Sequence, residues 1–254
     1  MEPETILYRK KNQVAVIRLN RPKVLNAMNR QLWIDLNTAL ADAQEDDTVR
    51  AVIVTGEGRA FSTGADLKDA KDRSLQDYRI YLEHLQETSL QIIRFEKPLI
   101  AAINGYALGS GYELALACDI RIAAKDAKIG FPEAKVTSSV TGGAFRLLPD
   151  LVGPGKAAEL LFTAQYVDGA EAARVGLVND AVEADQLMES AMQMAEQVAQ
   201  NAPFAIKMIK KGLRMAQGEA SLAAIMDFEV EGCLACVSTK ERQASLDQFA
   251  ARKE

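Results

Sequence analysis

Pro98-Leu-Ile-Ala-Ala-Ile103 leads straight into Asn104-Gly-Tyr-Ala-Leu-Gly-Ser-Gly-Tyr-Glu-Leu114. The first stretch is short and continuously apolar, as expected of a strand covered on both faces. The second is a glycine-bearing loop that opens a buried helix, Ser110 to Ala117. Ile120 to Ala123 follows as a further strand. Strand, loop, helix and strand in that order define an α/β chain. The pattern also occurs upstream. Ala51-Val-Ile-Val-Thr55 is an apolar strand ending at Gly56, and Gly58 to Lys68 is a second glycine-bearing loop. Leu75 to Phe95 then reads as an amphipathic helix, with Leu75, Tyr78, Leu82 and Leu85 at spacings of three and four.

Working outward, Ile6 to Lys10 and Val14 to Leu19 read as a hairpin around Lys11-Asn-Gln13. Asn29 is an N-cap for a helix carrying Leu32, Ile34, Leu36 and Leu40. From Ala184 onward the strand signal fades. Helices are expected over 184–200, 205–216, 221–237 and 239–251, with methionines scattered among them. The expected division is an α/β core over 1–190 and a helical region over 191–254.

The chain has 254 residues, 48% hydrophobic and 26% charged, which is ordinary globular composition. Thirty Lys and Arg against 35 Asp and Glu give a net charge of −5, which argues against sequence-blind binding to nucleic acid or anionic membrane. The single histidine, His84, excludes multi-histidine metal sites. Three cysteines, an odd number, point to a reducing compartment. Cys233-Leu-Ala-Cys236 has CxxC form but lies in an expected helix, where two small buried side chains suffice. The longest uncharged run, Pro98 to Tyr112, is shorter than the ~20 residues of a membrane span. Met-Glu-Pro-Glu-Thr-Ile at the start has the wrong charge for a leader, so a cytoplasmic protein is expected.

Both glycine loops follow buried strands, where ligands of α/β proteins tend to bind. No dinucleotide GxGxxG, no phosphate-binding GxxxxGK[ST] and no G-x-S-x-G nucleophile turn occurs. What remains is backbone N–H groups, suited to an oxyanion, and two carboxylates, Glu113 and Glu133, suited to proton transfer. Each has a purely structural alternative. Ser110-Gly-Tyr-Glu113 fits a helix capping box. Pro132-Glu133 fits a helix start with proline at the first position and an acid in the first turn.

Ala60-Phe-Ser-Thr-Gly-Ala-Asp-Leu67, Ile103 to Leu114 and Gly130-Phe-Pro-Glu133 together resemble the crotonase superfamily, the enoyl-CoA hydratase/isomerase family. Asn20 to Ala27 and Ala172 to Asn179 are similar to its pattern too. The resemblance implies a spiral of β-β-α units with a C-terminal helical region that builds trimers or hexamers. It implies an acyl-CoA thioester substrate, with coenzyme A brought in as part of the substrate, and no other cofactor or metal. By resemblance, the backbone N–H groups of Ala65 and Ser110 form the oxyanion hole, and Glu113 and Glu133 are the acid/base pair. Lys23, Leu25, Arg59, Thr63, Asp66, Leu67 and Lys68 fall where CoA and substrate are held. For Lys23, Arg59 and Lys68 the alternative is solvated surface charge.

The reaction this implies is addition of water across the 2,3 double bond of a 2-enoyl-CoA. Alternatives are another reaction of the superfamily (double-bond isomerisation, C–C bond hydrolysis or thioester hydrolysis) or a non-catalytic binding member. Two departures from the family pattern stand out. Ser110 occupies a position usually held by glycine, and Val136-Thr-Ser-Ser-Val-Thr-Gly-Gly143 replaces a glycine- and proline-rich stretch that shapes the acyl pocket.

Overall fold

The computed structural model describes residues 4–66, 74–218, 226, 228 and 230–232. Leu67, Lys68, Cys233, Cys236, the helix expected over 239–251 and most of that expected over 221–237 lie outside the described residues. The chain divides into two compact units, Met1–Glu196 and Gln197–Glu254.

The first unit is built on a six-stranded sheet. Its strands are β1 (Ile6–Lys11), β2 (Val14–Leu19), β3 (Ala51–Gly56), β5 (Leu99–Ile103), β7 (Ile120–Ala124) and β10 (Asp180–Val182), adjacent in that order. Only the β1–β2 hairpin is antiparallel; the other pairs are parallel. Every residue of β3 and β5 is buried, as their unbroken apolar composition requires. A second sheet runs β4 (Ala60–Ser62), β6 (Tyr106–Leu108), β8 (Lys128–Gly130) and β9 (Val167–Asp168). A long strand in the first sheet is thus followed by a short one in the second and then by helical structure, three times in succession. The expected β-β-α spiral is present.

The helices within this unit are α1 (Arg30–Glu45), α2 (Leu75–Arg94), α3 (Ser110–Ala117), α4 (Ala144–Val152), α5 (Pro154–Thr163) and α6 (Gly169–Val175); α7 (Leu187–Ala199) begins in it and ends in the second. Asn29 caps α1, its side chain accepting from Leu32 N–H at 3.0 Å. Helix α3 is buried on every side. Two contacts lock it in place. Tyr112 meets the Phe131 ring edge-on at 5.4 Å and donates its hydroxyl to Leu177 O at 2.8 Å. The buried Arg121 guanidinium donates to Cys118 O at 2.8 Å and Leu177 O at 3.0 Å, satisfying carbonyl oxygen at the C-terminal end of α3. This rigidity matters because the first residues of α3 carry the site.

In the second unit, α8 (Pro203–Ala216) begins with proline at its first turn. Lys211 Nζ lies 5.5 Å from the centre of the Phe228 ring. Among the described residues no helix is long and apolar enough to cross a membrane.

Candidate active site

The first wall of the site is the segment after β4. Asn26 is fully buried and holds it down. Its side chain donates to Glu57 O at 3.0 Å and Ala60 O at 2.7 Å, and accepts from Arg21 N–H at 2.8 Å. Ser62 Oγ donates back to Asn26 O at 2.8 Å. Arg21 donates to Ala27 O and pairs with Asp66 at 2.9 Å. Met28 N–H donates to Gly64 O at 2.8 Å and Asp66 N–H to Met28 O at 3.1 Å. Ala65 is therefore pinned from both sides, while its own N–H faces away from Met28, as alternation along an extended chain demands.

The second wall is the turn from β6 into α3. Gly109 has φ 54 and ψ −131, a backbone conformation reserved for glycine. Its carbonyl accepts from Tyr112 N–H and Glu113 N–H, both at 2.9 Å, which starts the helix. Ser110 N–H is one of the unpaired amides of the first turn and sits at the positive end of the helix. Among the described residues, neither Ala65 N–H nor Ser110 N–H donates to a protein acceptor. Both residues line one cavity of about 230 Å³. The loops touch closely: a Cβ on Gly64 would stand 2.7 Å from Leu108 O and 3.2 Å from Ser110 N.

Glu113, one turn into α3, is 1% exposed. Thr141 grips its carboxylate, with N–H donating at 2.6 Å to one oxygen and Oγ at 2.5 Å to the other. Burial pushes the Glu113 carboxyl above its usual range, and the two Thr141 hydrogen bonds pull against that shift. Thr141 is itself steadied by its neighbour, since Gly142 N–H donates to Gln86 Oε1 at 2.7 Å. Thr141→Val keeps the shape and the N–H but deletes the hydroxyl. The expected result is a higher titration point for Glu113, read by carbon NMR of the carboxyl groups. An unmoved titration would show that the hydroxyl does not hold the charge.

Glu133 opens a short 3-10 turn, Glu133–Val136. Its Oε1 lies where a Cβ on Gly109 would come within 2.8 Å, so the carboxyl rests directly against the Gly109 turn. Its Oε2 is buried with no hydrogen-bond partner. Burial first, and then the charge of Glu113, push the Glu133 carboxyl up to about 7. The cavity thus holds two free amide donors, one carboxyl fixed by two hydrogen bonds and one carboxyl poised to carry a proton at neutral pH. Such a set can stabilise a developing oxyanion and move a proton on either side of it.

The capping-box alternative for Glu113 fails. Gly109, not Ser110, is the N-cap of α3, it has no side-chain cap, and Glu113 turns to Thr141 instead of back to Ser110. For Glu133 the helix-start alternative holds in part: Pro132 is the cap of the 3-10 turn and not its first residue, and Glu133 stands in that turn as its acid.

Of the residues singled out in the sequence, Thr63, Ala65, Ser110, Glu113 and Glu133 line this one cavity. Lys23, Leu25, Arg59 and Asp66 stand outside its lining. Lys23 and Arg59 are exposed, Leu25 O accepts from Thr63 N–H at 3.1 Å, and Asp66 is engaged by Arg21. Leu67 and Lys68 lie outside the described residues. Thr141 was missed as a site residue because its contact with Glu113 joins positions 28 apart. The only sequence signal was the unusual hydroxyl content of 136–143. Tyr78, Tyr81, Leu82 and Leu85 of α2 also line the cavity, although their spacing announced only an amphipathic helix.

Comparison with known proteins gives a consistent result. The model of a family described as enoyl-CoA hydratase/isomerase matches residues 9–254. A short-chain-enoyl-CoA hydratase of Clostridium acetobutylicum is 35% identical, the match covering 100% of this chain and 97% of that protein. A crotonyl-CoA hydratase of Syntrophomonas wolfei is 33% identical, covering 100% and 98%. The crystal structure of an enoyl-CoA hydratase from Bacillus anthracis superposes with a TM-score of 0.95 at 33% identity, covering 98% of this chain and 97% of that one.

Proposed function

We propose, from the premise that this chain belongs to the enoyl-CoA hydratase/isomerase family, that it adds water across the 2,3 double bond of a 2-enoyl-CoA. The observation that carries this reading is the pair of unpaired amides, Ala65 N–H and Ser110 N–H, in one cavity with two differently held glutamates. In this mechanism the thioester oxygen accepts from both amides. Glu113, its carboxyl oriented by Thr141, takes a proton from water as the water oxygen bonds to the β-carbon. The π electrons move toward the thioester oxygen, giving an enolate held by the two amides and the N-terminal end of α3. Glu133 delivers its proton to the α-carbon. Proton exchange with solvent then returns both carboxyls to their starting states.

Lys23, Arg59 and Lys68 are proposed to meet the phosphates or adenine end of coenzyme A, with Leu25, Thr63, Asp66 and Leu67 along its path. No cofactor beyond the CoA of the substrate is called for. The exposed Ile209 and Leu213 of α8, with Met226 and Val230 beyond it, support assembly into trimers or hexamers through the C-terminal region. The odd cysteine count favours a cytoplasmic setting.

A pH profile follows. Glu133 has to be protonated, and its carboxyl is raised to about 7, so activity is present below that value and lost as pH rises through it. Glu113 has to be ionised, so activity is lost again on the acid side. The expected kcat/KM profile on crotonyl-CoA, followed by loss of the conjugated enoyl chromophore, is a bell with its basic limb near pH 7. A profile still rising well above that limb would remove Glu133 as the acid.

A further inference from the structure

We infer that Tyr81 sets the acyl-chain length this site accepts, by separating the catalytic cavity from a second, larger cavity between α1 and α2. The inference rests on the acyl-CoA reading above and deepens it. With the thioester oxygen at Ala65 and Ser110 and the reacting carbons between Glu113 and Glu133, the distal acyl carbons run toward the remaining wall. That wall comes on one side from α2, through Tyr78, Tyr81, Leu82 and Leu85, and on the other from Val136, Ser138 and Ser139.

The cavity behind that wall measures about 450 Å³, against about 230 Å³ for the catalytic one. It is lined by Trp33 and Ile34 of α1 and by Ile80, His84 and Thr88 of α2, among others. Tyr81 lines both cavities. Helical spacing explains why. Residues 78, 82 and 85 face the catalytic side, residues 80, 84 and 88 face α1, and residue 81 lies on the boundary between the two stripes. Its half-buried ring stands 6.0 Å from that of Tyr78, and both rings line the small cavity. A short acyl group fits in front of Tyr81. A long one has to pass it, and beyond it meets Trp33, Ile34 and Ile80 on one part of a lining that is otherwise polar, with Arg30, Asn37 and Glu87.

The test compares kcat/KM on crotonyl-CoA and on 2-decenoyl-CoA for the purified full chain. Wild type is expected to favour crotonyl-CoA. Tyr81→Ala is expected to raise the decenoyl-to-crotonyl ratio by ~10-fold or more, the scale on which an apolar pocket distinguishes chain lengths. Tyr81→Leu, which keeps an apolar side chain on the half-buried face, carries the same test at lower risk to folding. His84→Trp added to Tyr81→Ala refills the outer cavity and is expected to reverse the gain. Tyr81→Phe keeps the ring and is expected to keep the wild-type ratio. An unchanged ratio in Tyr81→Ala and Tyr81→Leu, with wild type active on crotonyl-CoA, would overturn the assignment of Tyr81 alone. Wild type that hydrates neither compound would instead overturn the hydratase reading beneath it.

Discussion

Glu133→Gln lowers kcat for hydration of crotonyl-CoA by ~10²–10⁴-fold, the range of a positioned general acid. Glutamine keeps the size and polarity of the side chain but has no proton to deliver to the α-carbon. The substitution also removes the group whose titration near 7 shapes the basic side of the profile, so that limb disappears from whatever activity remains. Glu113→Gln is expected to lose a similar factor through the water-activating step, and to remove the acid limb instead. The double variant falls little below the worse single one, since the two carboxyls act as a unit in one turnover. Steady-state kinetics over a pH series reads all of these. A Glu133→Gln enzyme within tenfold of wild type, with its basic limb intact, would contradict the role given to this residue.

Gly109→Ala costs activity by ~10²–10³-fold, as much as one lost oxyanion donor. Two effects act together. The backbone at φ 54 and ψ −131 is strained for any residue with a side chain, at ~1–3 kcal/mol, and relief of that strain re-aims Ser110 N–H. The new methyl would also stand 2.8 Å from Glu133 Oε1 and displace the carboxyl. A matched control is Gly155→Ala in α5, where a Cβ meets nothing within 4 Å; there both activity and melting temperature stay near wild type. Gly109→Ala retaining near-full turnover would mean that Ser110 N–H is not part of the hole.

The long elements of the first unit were legible because each has its own pattern. β3 and β5 are unbroken apolar runs, α2 shows helical spacing, and Asn29 announced the start of α1. The second sheet was not legible. Its strands are two or three residues long, too short to show alternation, and β4 and β6 sit inside the segments that glycine content marks as loops. They exist because neighbouring turns of the spiral supply their hydrogen-bond partners, which is tertiary information.

The site divides along the same line. Glu113 and Glu133 could be named as candidates because acidic side chains beside glycine loops leave local marks, whereas Ala65 and Ser110 were named only through the family resemblance. Thr141 could not, because its grip on Glu113 depends on the segment after the 3-10 turn folding back over α3. The capping-box alternative for Glu113 was sound local physics, but the buried Thr141 pair of hydrogen bonds to a carboxylate outweighs a surface-type cap, since bonds to charged groups are each worth ~1.5–3 kcal/mol. Tyr81 shows the limit most plainly. Spacing places it on one helix, but only the packed structure places it between two cavities.

The most direct test of the central claim is the mass of the product that the purified wild-type chain forms from crotonyl-CoA in water labelled with heavy oxygen and deuterium. The expected product is the 3-hydroxyacyl-CoA with one labelled oxygen at the β-carbon and one deuterium at the α-carbon, its formation abolished in the Glu113→Gln, Glu133→Gln double variant. Unchanged crotonyl-CoA, or free coenzyme A with crotonate labelled only at its carboxylate, would contradict hydration at this pair of glutamates.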